Sequence, residues 1–461
     1  MVQDGIFARQ KLLRGSSDPL IKSRLNALQS LRTRIAFLAT RSHLDPQLLR
    51  ELNAHAHTLE TELAAGSPVY RQYIDVTPDE VFRSLQRLPS GAVVVDYYLF
   101  DRQHQDESVE PHYIAVVLNS SGLVTNLDLG PAEAIERVVR TYRQFLYQPR
   151  TATPQQIEKA SYAVYHAVWQ PVREFVADAG TVFICPDGDL NLVSFAGLPD
   201  ENGRYLIEKH ALQYLSTSRD LVRLSEPDSS SGKGIMLIGG ADYGGRLPAL
   251  PFAERELLNV DSAWKAFYTE PLEILTGSQA SEKAFRSSFS NQRVLYFAAH
   301  SSDIVAQPGD SNLRAAGLPE SILPNGILLA DFRGLEADSS PDTDGLLSAE
   351  EISALNLEPT KLTILSMCES GGGRLVRGEG VYGLRRAFQM AGVRTIVSTL
   401  WPVDDQSTAE LMKFGLFDST ATYPEVLRRA CLGRITELRQ SGALPNPFLW
   451  AAFVCTGDWR P

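Results

Sequence analysis

The sequence predicts an α/β protein with a mostly parallel sheet flanked by helices and a leading helical hairpin. Three observations carry this. Past residue 180, short apolar runs rich in β-branched residues alternate with helical segments, the texture of parallel strands buried on both faces. Before them, two apolar stretches split by a polar run read as an antiparallel meander. Ahead of both, leucines and isoleucines recur at the period of an amphipathic helix.

The hairpin comes first. Ile21, Leu25, Leu28, Ile35 and Leu38 recur at three-, four- and seven-residue steps, and Leu48, Leu52, Leu59 and Leu63 do so after a break. At that break Asp45 stands where an N-cap belongs and Pro46 at the first helical position. Two such helices bury little alone, so they are expected to pack on the main domain, on another copy or on a repeat array. The runs AVVVDYYLF and HYIAVVL, with a weaker third after Gly122, form the meander. Helical patterns fill roughly 131–147 and 154–178, the second opened by Thr153 as cap and Pro154.

Strands are then expected at 181–185, 235–239, 294–299, 362–367 and 394–400. The segment 303–345, rich in Gly, Pro, Ser and Asp, reads as loop around one strand at Gly326 to Ala330. The ending FLWAAFVCTGD reads as a final strand closing the sheet. The expected division is a helical extension over 1–77, a first α/β part over 78–180 and a catalytic part over 181–461.

Composition narrows the function. With 55 acidic and 44 basic residues the net charge is −11, which opposes a phosphate backbone, so nucleic acid is not expected as a direct partner. The amino terminus lacks the apolar core of a signal peptide, and no run approaches the roughly 18 apolar residues of a membrane span. A cytoplasmic protein with no membrane contact is expected. The cysteines at 185, 368, 431 and 455 have no Cys-x-x-Cys spacing and no nearby histidine pair, which argues against a disulfide scaffold or structural zinc. No metal or cofactor is expected. There is no Gly-x-Ser-x-Gly elbow and no phosphate-binding Gly-x-x-x-x-Gly-Lys-Ser/Thr loop. Gly239–Gly245 lacks the dinucleotide spacing and reads as a loop bordering the substrate cleft.

Two strands end in reactive side chains. VLYFAAH finishes on His300, and LTILSMC finishes on Cys368 before Glu369-Ser370-Gly371-Gly372-Gly373. In an open parallel sheet ligands bind beyond the carboxyl ends of the strands, so both residues would face one site. A neighbouring imidazole lowers a thiol pKa from about 8.5 to roughly 3.5–7.5 and then protonates the departing amine. The glycines let amide N–H groups approach a substrate carbonyl as an oxyanion hole. A buried strand-end cysteine is more often core filler, and Cys185, Cys431 and Cys455 take that reading.

The string from Leu362 to Thr408 resembles the CHAT domain, a caspase- and separase-like family often fused behind tetratricopeptide repeats. YFAAHSS, GILLADFRG, GLLSAEEI, PDGDLNLVSFAGL and NPFLWAAFVCTGD resemble CHAT segments in the right order, and the similarity covers about residue 78 to the end. The resemblance implies a caspase-like sheet with an amino-terminal pseudo-caspase-like half, and a cysteine endopeptidase using a His300–Cys368 dyad. It implies an oxyanion hole from the amides of Ser301 and Cys368. Many relatives carry glycine where this chain has Ser301, and a histidine where it has Asn446.

The Trp401-Pro402-Val403-Asp404-Asp405 element is similar to one in separases, where an acid selects arginine before the cut. A desolvated carboxylate pairs bidentately with guanidinium. Asp405 is the first candidate pocket acid, then Asp404, with Asp187 third; the competing roles are a helix N-cap for one of the pair and a tight turn for Asp187. Arg314 and Arg333 raise self-cleavage between the catalytic strands, against a plain surface loop. The expected partners are a protein substrate and an activating protein engaging the amino-terminal helices. The alternative is a catalytically silent CHAT scaffold that binds other proteins.

Overall fold

The structure is a computed structural model. It describes residues 76–89, 91–103, 108–122, 124–147, 151–228, 230–302, 325–332, 344–367, 374–376 and 380–461, with scattered positions between 18 and 63.

The described residues from 19 to 31 and from 51 to 63 are helical. Leu28, Leu52, Ala56 and Leu63 are buried, and Arg24 pairs with Glu62 at 3.1 Å, which ties the two stretches side by side. The Asp45-Pro46 cap and Leu25, Ile35, Leu38 and Leu48 lie outside the described residues. Helix α1 (Pro78–Leu85) opens on Thr77, whose side chain and that of Glu80 satisfy each other's backbone N–H groups.

The meander is present as β1 (Val93–Gln103), β2 (Val109–Asn119) and β3 (Val124–Pro131), all antiparallel neighbours. Helix α2 (Ala132–Tyr147) and α3 (Pro154–Val164) follow, α3 with the Thr153–Gln156 capping box. The expected helix to 178 is interrupted by a π-helical turn at Tyr165–Trp169 and resumes only over Arg173–Val176. Wide π turns accommodate one extra residue, and here Tyr165, Val168 and Trp169 all reach the core.

One eleven-stranded sheet runs through the molecule. Its remaining strands are β4 (Thr181–Cys185), β5 (Ala211–Tyr214), β6 (Ile235–Ala241), β7 (Leu272–Gly277), β8 (Val294–Ala298), β12 (Leu362–Ser366), β15 (Thr395–Thr399) and β16 (Phe453–Gly457). The order is β3-β2-β1-β4-β5-β16-β15-β12-β8-β6-β7. Strands β1, β4, β5 and β16 are mutually parallel, as are β15, β12, β8, β6 and β7, and the two sets meet antiparallel at β16 and β15. The molecule is therefore two half-sheets running in opposite directions and sharing one seam.

That seam corrects the expectation for the carboxyl terminus. β16 does not close an edge but sits at the centre, hydrogen-bonded on both sides. Phe453, Val454 and Cys455 are all buried, and Gln213 of β5 donates to the Gly457 carbonyl at 2.8 Å. Such two-sided burial fits an interior strand.

Alternation builds the carboxyl-terminal half. Ile235, Leu237, Tyr296, Ile364 and Val397 face one core with helix α4 (Ala253–Phe267), helix α8 (Asp405–Met412) and helix α9 (Tyr423–Gln440). Met236, Ile238, Phe297, Leu365 and Ile396 face the opposite core with α5 (Glu282–Ser288), α6 (Ala349–Ala354) and α7 (Leu384–Ala391). Successive side chains point to opposite faces, and both faces are covered, which is why these strands read as unbroken apolar runs. A small antiparallel sheet lies beside the main one, from β9 (His300–Ser301), β10 (Gly326–Leu328) and β11 (Leu346–Ser348). A hairpin, β13 (Arg374–Val376) and β14 (Gly380–Tyr382), precedes α7.

Candidate active site

The register of the central strands brings the two reactive positions of the sequence into line. β8 and β12 are parallel neighbours with Ala298 opposite Ser366, and these residues stand two before His300 and Cys368 in the sequence. Cys368, with Glu369–Gly373, lies outside the described residues, as do Arg314 and Arg333. Met367 is described: it is buried, and its carbonyl accepts the Thr399 hydroxyl from β15.

After Ala298 the chain leaves the main sheet, and His300 and Ser301 pair with Leu328 and Ile327 of β10. Ser301 is in extended backbone, so the position asks for no positive φ and a serine fits without strain. His300 is 7% exposed. Its Nε2 lies 2.9 Å from the Pro248 carbonyl. A carbonyl only accepts, so Nε2 carries the proton, and in the neutral ring Nδ1 is left as the basic nitrogen. Burial holds the imidazole below its usual pKa, against the Pro248 carbonyl and the Asp405 carboxylate, which pull it up.

The loop after β6 supplies this orientation. Tyr243 packs its ring on the imidazole, centroids 5.2 Å apart; its hydroxyl accepts the His300 N–H at 3.3 Å and donates to the Leu328 carbonyl at 3.2 Å. Gly239 permits the strand's approach: a Cβ there would lie 2.8 Å from Ala298 Cβ and O.

The candidate pocket acids occupy different places. Asp404 is exposed and caps α8, accepting the Ser407 N–H and hydroxyl at 2.8 Å each. Asp405, half-buried, accepts the Phe252 N–H at 2.7 Å, which ties the start of α8 to that of α4. Burial raises its pKa, while the Phe252 N–H and His300 oppose the rise. Asp187 is in the other half, where it caps a 3-10 turn (Gly188–Leu192) and accepts the Leu99 N–H at 3.0 Å. That turn packs against the β13–β14 hairpin.

His300, Met367 and Asp405 line one cavity of about 30 Å³, together with Leu250, Thr408, Ser366 and Glu256. Glu256, on α4, was not singled out by its chemistry in the sequence. It is 2% exposed, accepts the Tyr296 hydroxyl, and its pKa is raised to about 7, chiefly by burial. A signal existed: Ala253, Leu257, Val260 and Trp264 form the buried stripe of α4, and a glutamate beside Leu257 falls within that stripe. The Pro248 carbonyl left no sequence signal, since any residue type offers one.

Cys185, Cys431 and Cys455 are buried, and burial raises all three thiols, Cys431 to about 12. Among the described residues no three His, Cys, Asp or Glu side chains are grouped to hold a metal ion. No helix of the described residues is long and apolar enough to cross a membrane.

Comparison with known proteins agrees with this architecture. The chain is 26% identical to human tetratricopeptide repeat protein 28 over 307 residues, and 26% identical to the mouse protein over 302 residues. Each match covers 59% of this chain and 12% of the relative, so the chain spans a small part of those proteins. Among solved structures, Saccharomyces cerevisiae separase, in its complex with securin, superposes with a TM-score of 0.50 at 8% identity, over 99% of this chain and 40% of separase. The fold is thus shared with separase. A profile of the CHAT domain matches residues 158–458, which takes in the sheet from β4 to β16 with both strands of the seam, His300 and the Asp404-Asp405 turn, and the chain belongs to the CHAT domain family.

Proposed function

We propose that this chain is a regulated cysteine endopeptidase of the caspase and separase type, cutting protein substrates after arginine or lysine. His300 Nδ1 takes the proton of the Cys368 thiol, the thiolate attacks the scissile carbonyl, and the imidazolium returns the proton to the departing amine. The amides of Ser301 and Cys368 stabilise the oxyanion, each donor being worth about 3–4 kcal/mol. Asp405 receives the basic side chain before the cut.

The observation that carries this reading is the fixed imidazole at the end of β8, held through Nε2 by Pro248, in a cavity shared with the residue preceding Cys368. A cavity of about 30 Å³ holds about two waters by the usual 10–15 Å³ each. We attribute control of this site to a partner protein. The helices between 19 and 63 are the proposed handle for it, as yeast separase is found in complex with securin.

The test is a panel of fluorogenic peptides differing only in the residue before the scissile bond. Cleavage of Arg peptides by the wild type, abolished in Cys368→Ala and His300→Ala, is the expected result; turnover surviving in either variant refutes the dyad. The small volume of the cavity among the described residues also favours a second reading, a silent CHAT scaffold that binds proteins. Failure of the whole panel, with candidate partners present, selects it.

A further inference from the structure

Glu256 is a buried acid in the cavity beside His300 that the proposed chemistry does not use. Its carboxyl accepts the Tyr296 hydroxyl from β8 and bonds the Ser366 hydroxyl at the end of β12. Among the described residues no lysine or arginine pairs with it. Among the described residues the ionisable groups sharing its surroundings are Asp405 from α8, His300 from β9 and the Tyr296 phenol, while β6 offers α4 apolar Ile235 and Leu237. On α4 itself Glu254 is exposed, and Arg255 turns outward to Glu410 at 3.2 Å.

A buried carboxyl with two hydroxyl donors, an acidic neighbour and no cation keeps its proton, since desolvation penalises the charged form. Burial accordingly raises its pKa to about 7, with Asp405 adding to the rise. A cation beside Asp405 would reverse that balance, because a positive charge near both lining carboxyls favours their ionised forms. The two hydroxyls already in place would then stabilise the carboxylate.

We propose that Glu256 is a second carboxylate of the pocket, and that a guanidinium entering beside Asp405 expels the Glu256 proton to solvent, coupling recognition of the basic residue to pH. The inference rests on the reading of this site as one for a basic side chain. Glu256 touches the substrate cation, not the reacting atoms, so it determines specificity.

The experiment is calorimetric binding of an N-acetylated peptide amide ending in arginine, and of its norleucine counterpart, to the full chain carrying Cys368→Ala. Two buffers of different ionisation enthalpy at pH 6 and at pH 8.5 report the protons released. About one proton per arginine peptide is expected at pH 6 and close to none at pH 8.5, as linkage requires for a group titrating near 7. Glu256→Gln is expected to bind without release at either pH. Tyr296→Phe, which keeps the carboxyl and removes a donor to its ionised form, is expected to extend release to higher pH. Binding at pH 6 without release, or release that persists in Glu256→Gln, overturns this inference alone. Absence of arginine-peptide binding with candidate partners present overturns it together with the basic-residue reading.

Discussion

Replacing Glu256 by glutamine makes the energetics of the site measurable independently of any substrate. The folded carboxyl titrates near 7 against an ordinary 4.5, because burial penalises its charge. A raised acid contributes stability that is fully present below its unfolded pKa and is lost as pH rises through the folded value. Between pH 5 and pH 8.5 the wild type therefore loses about 2–3 kcal/mol from this one group, at 1.36 kcal/mol per unit of pKa. Glutamine has no proton to lose. It also retains a carbonyl to accept the Tyr296 hydroxyl, and any fixed cost of its amide group is the same at both pH values. Urea unfolding of wild type and Glu256→Gln at the two pH values gives the answer. The variant should gain about 2–3 kcal/mol on the wild type between pH 5 and pH 8.5. A stability difference independent of pH would refute the assignment of a buried, protonated carboxyl beside His300.

Other consequences follow from the same structure. Asp458, 1% exposed, pairs with Arg394 and Arg460 at 2.8 Å each beside the central seam. Asp458→Asn should destabilise by about 1–3 kcal/mol in chemical denaturation, since it weakens charged hydrogen bonds while Arg394 keeps Asp228 at 3.6 Å and Arg460 stays partly in water. Gly239→Ala drives a methyl against Ala298 and should cost about 1–3 kcal/mol by the same measurement. Asp405→Asn keeps an acceptor for the Phe252 N–H but loses the charge, so kcat/KM for Arg peptides should fall roughly 10- to 100-fold, by the 1.5–3 kcal/mol of a charged hydrogen bond. A norleucine peptide should show no such loss.

Much of this fold was legible because each half-sheet is covered on both faces. TVFIC, IMLIG, VLYFA, LTILS and TIVST read as strands without any partner in view, and each is one. The short ALQY of β5 and the part-polar LEILTG of β7 carried too little apolar character to be found. The place of β16 was hidden for another reason: a buried strand looks alike at an edge or at a seam, and only its neighbours β5 and β15 tell them apart. In the site, His300 announced itself by ending an apolar run, and Asp404 by the N-cap pattern that it adopts. Asp404 and Asp405 were inseparable in sequence, because which of two adjacent acids caps a helix and which turns inward depends on where α4 begins. Pro248 acts through its backbone, and Glu256 is distinguished from exposed Glu254 only by helical phase.

Activation of Cys368 by His300 is tested by the alkylation rate of Cys368 as a function of pH, which does not require an occupied substrate pocket. Iodoacetamide followed by peptide mass spectrometry reads Cys368 alone, since Cys185, Cys431 and Cys455 are buried with raised pKa values. Cys368 in the wild type is expected to react as a thiolate well below the ordinary thiol pKa of about 8.5, and His300→Ala to return the profile to that value. Identical profiles in the two proteins would contradict it.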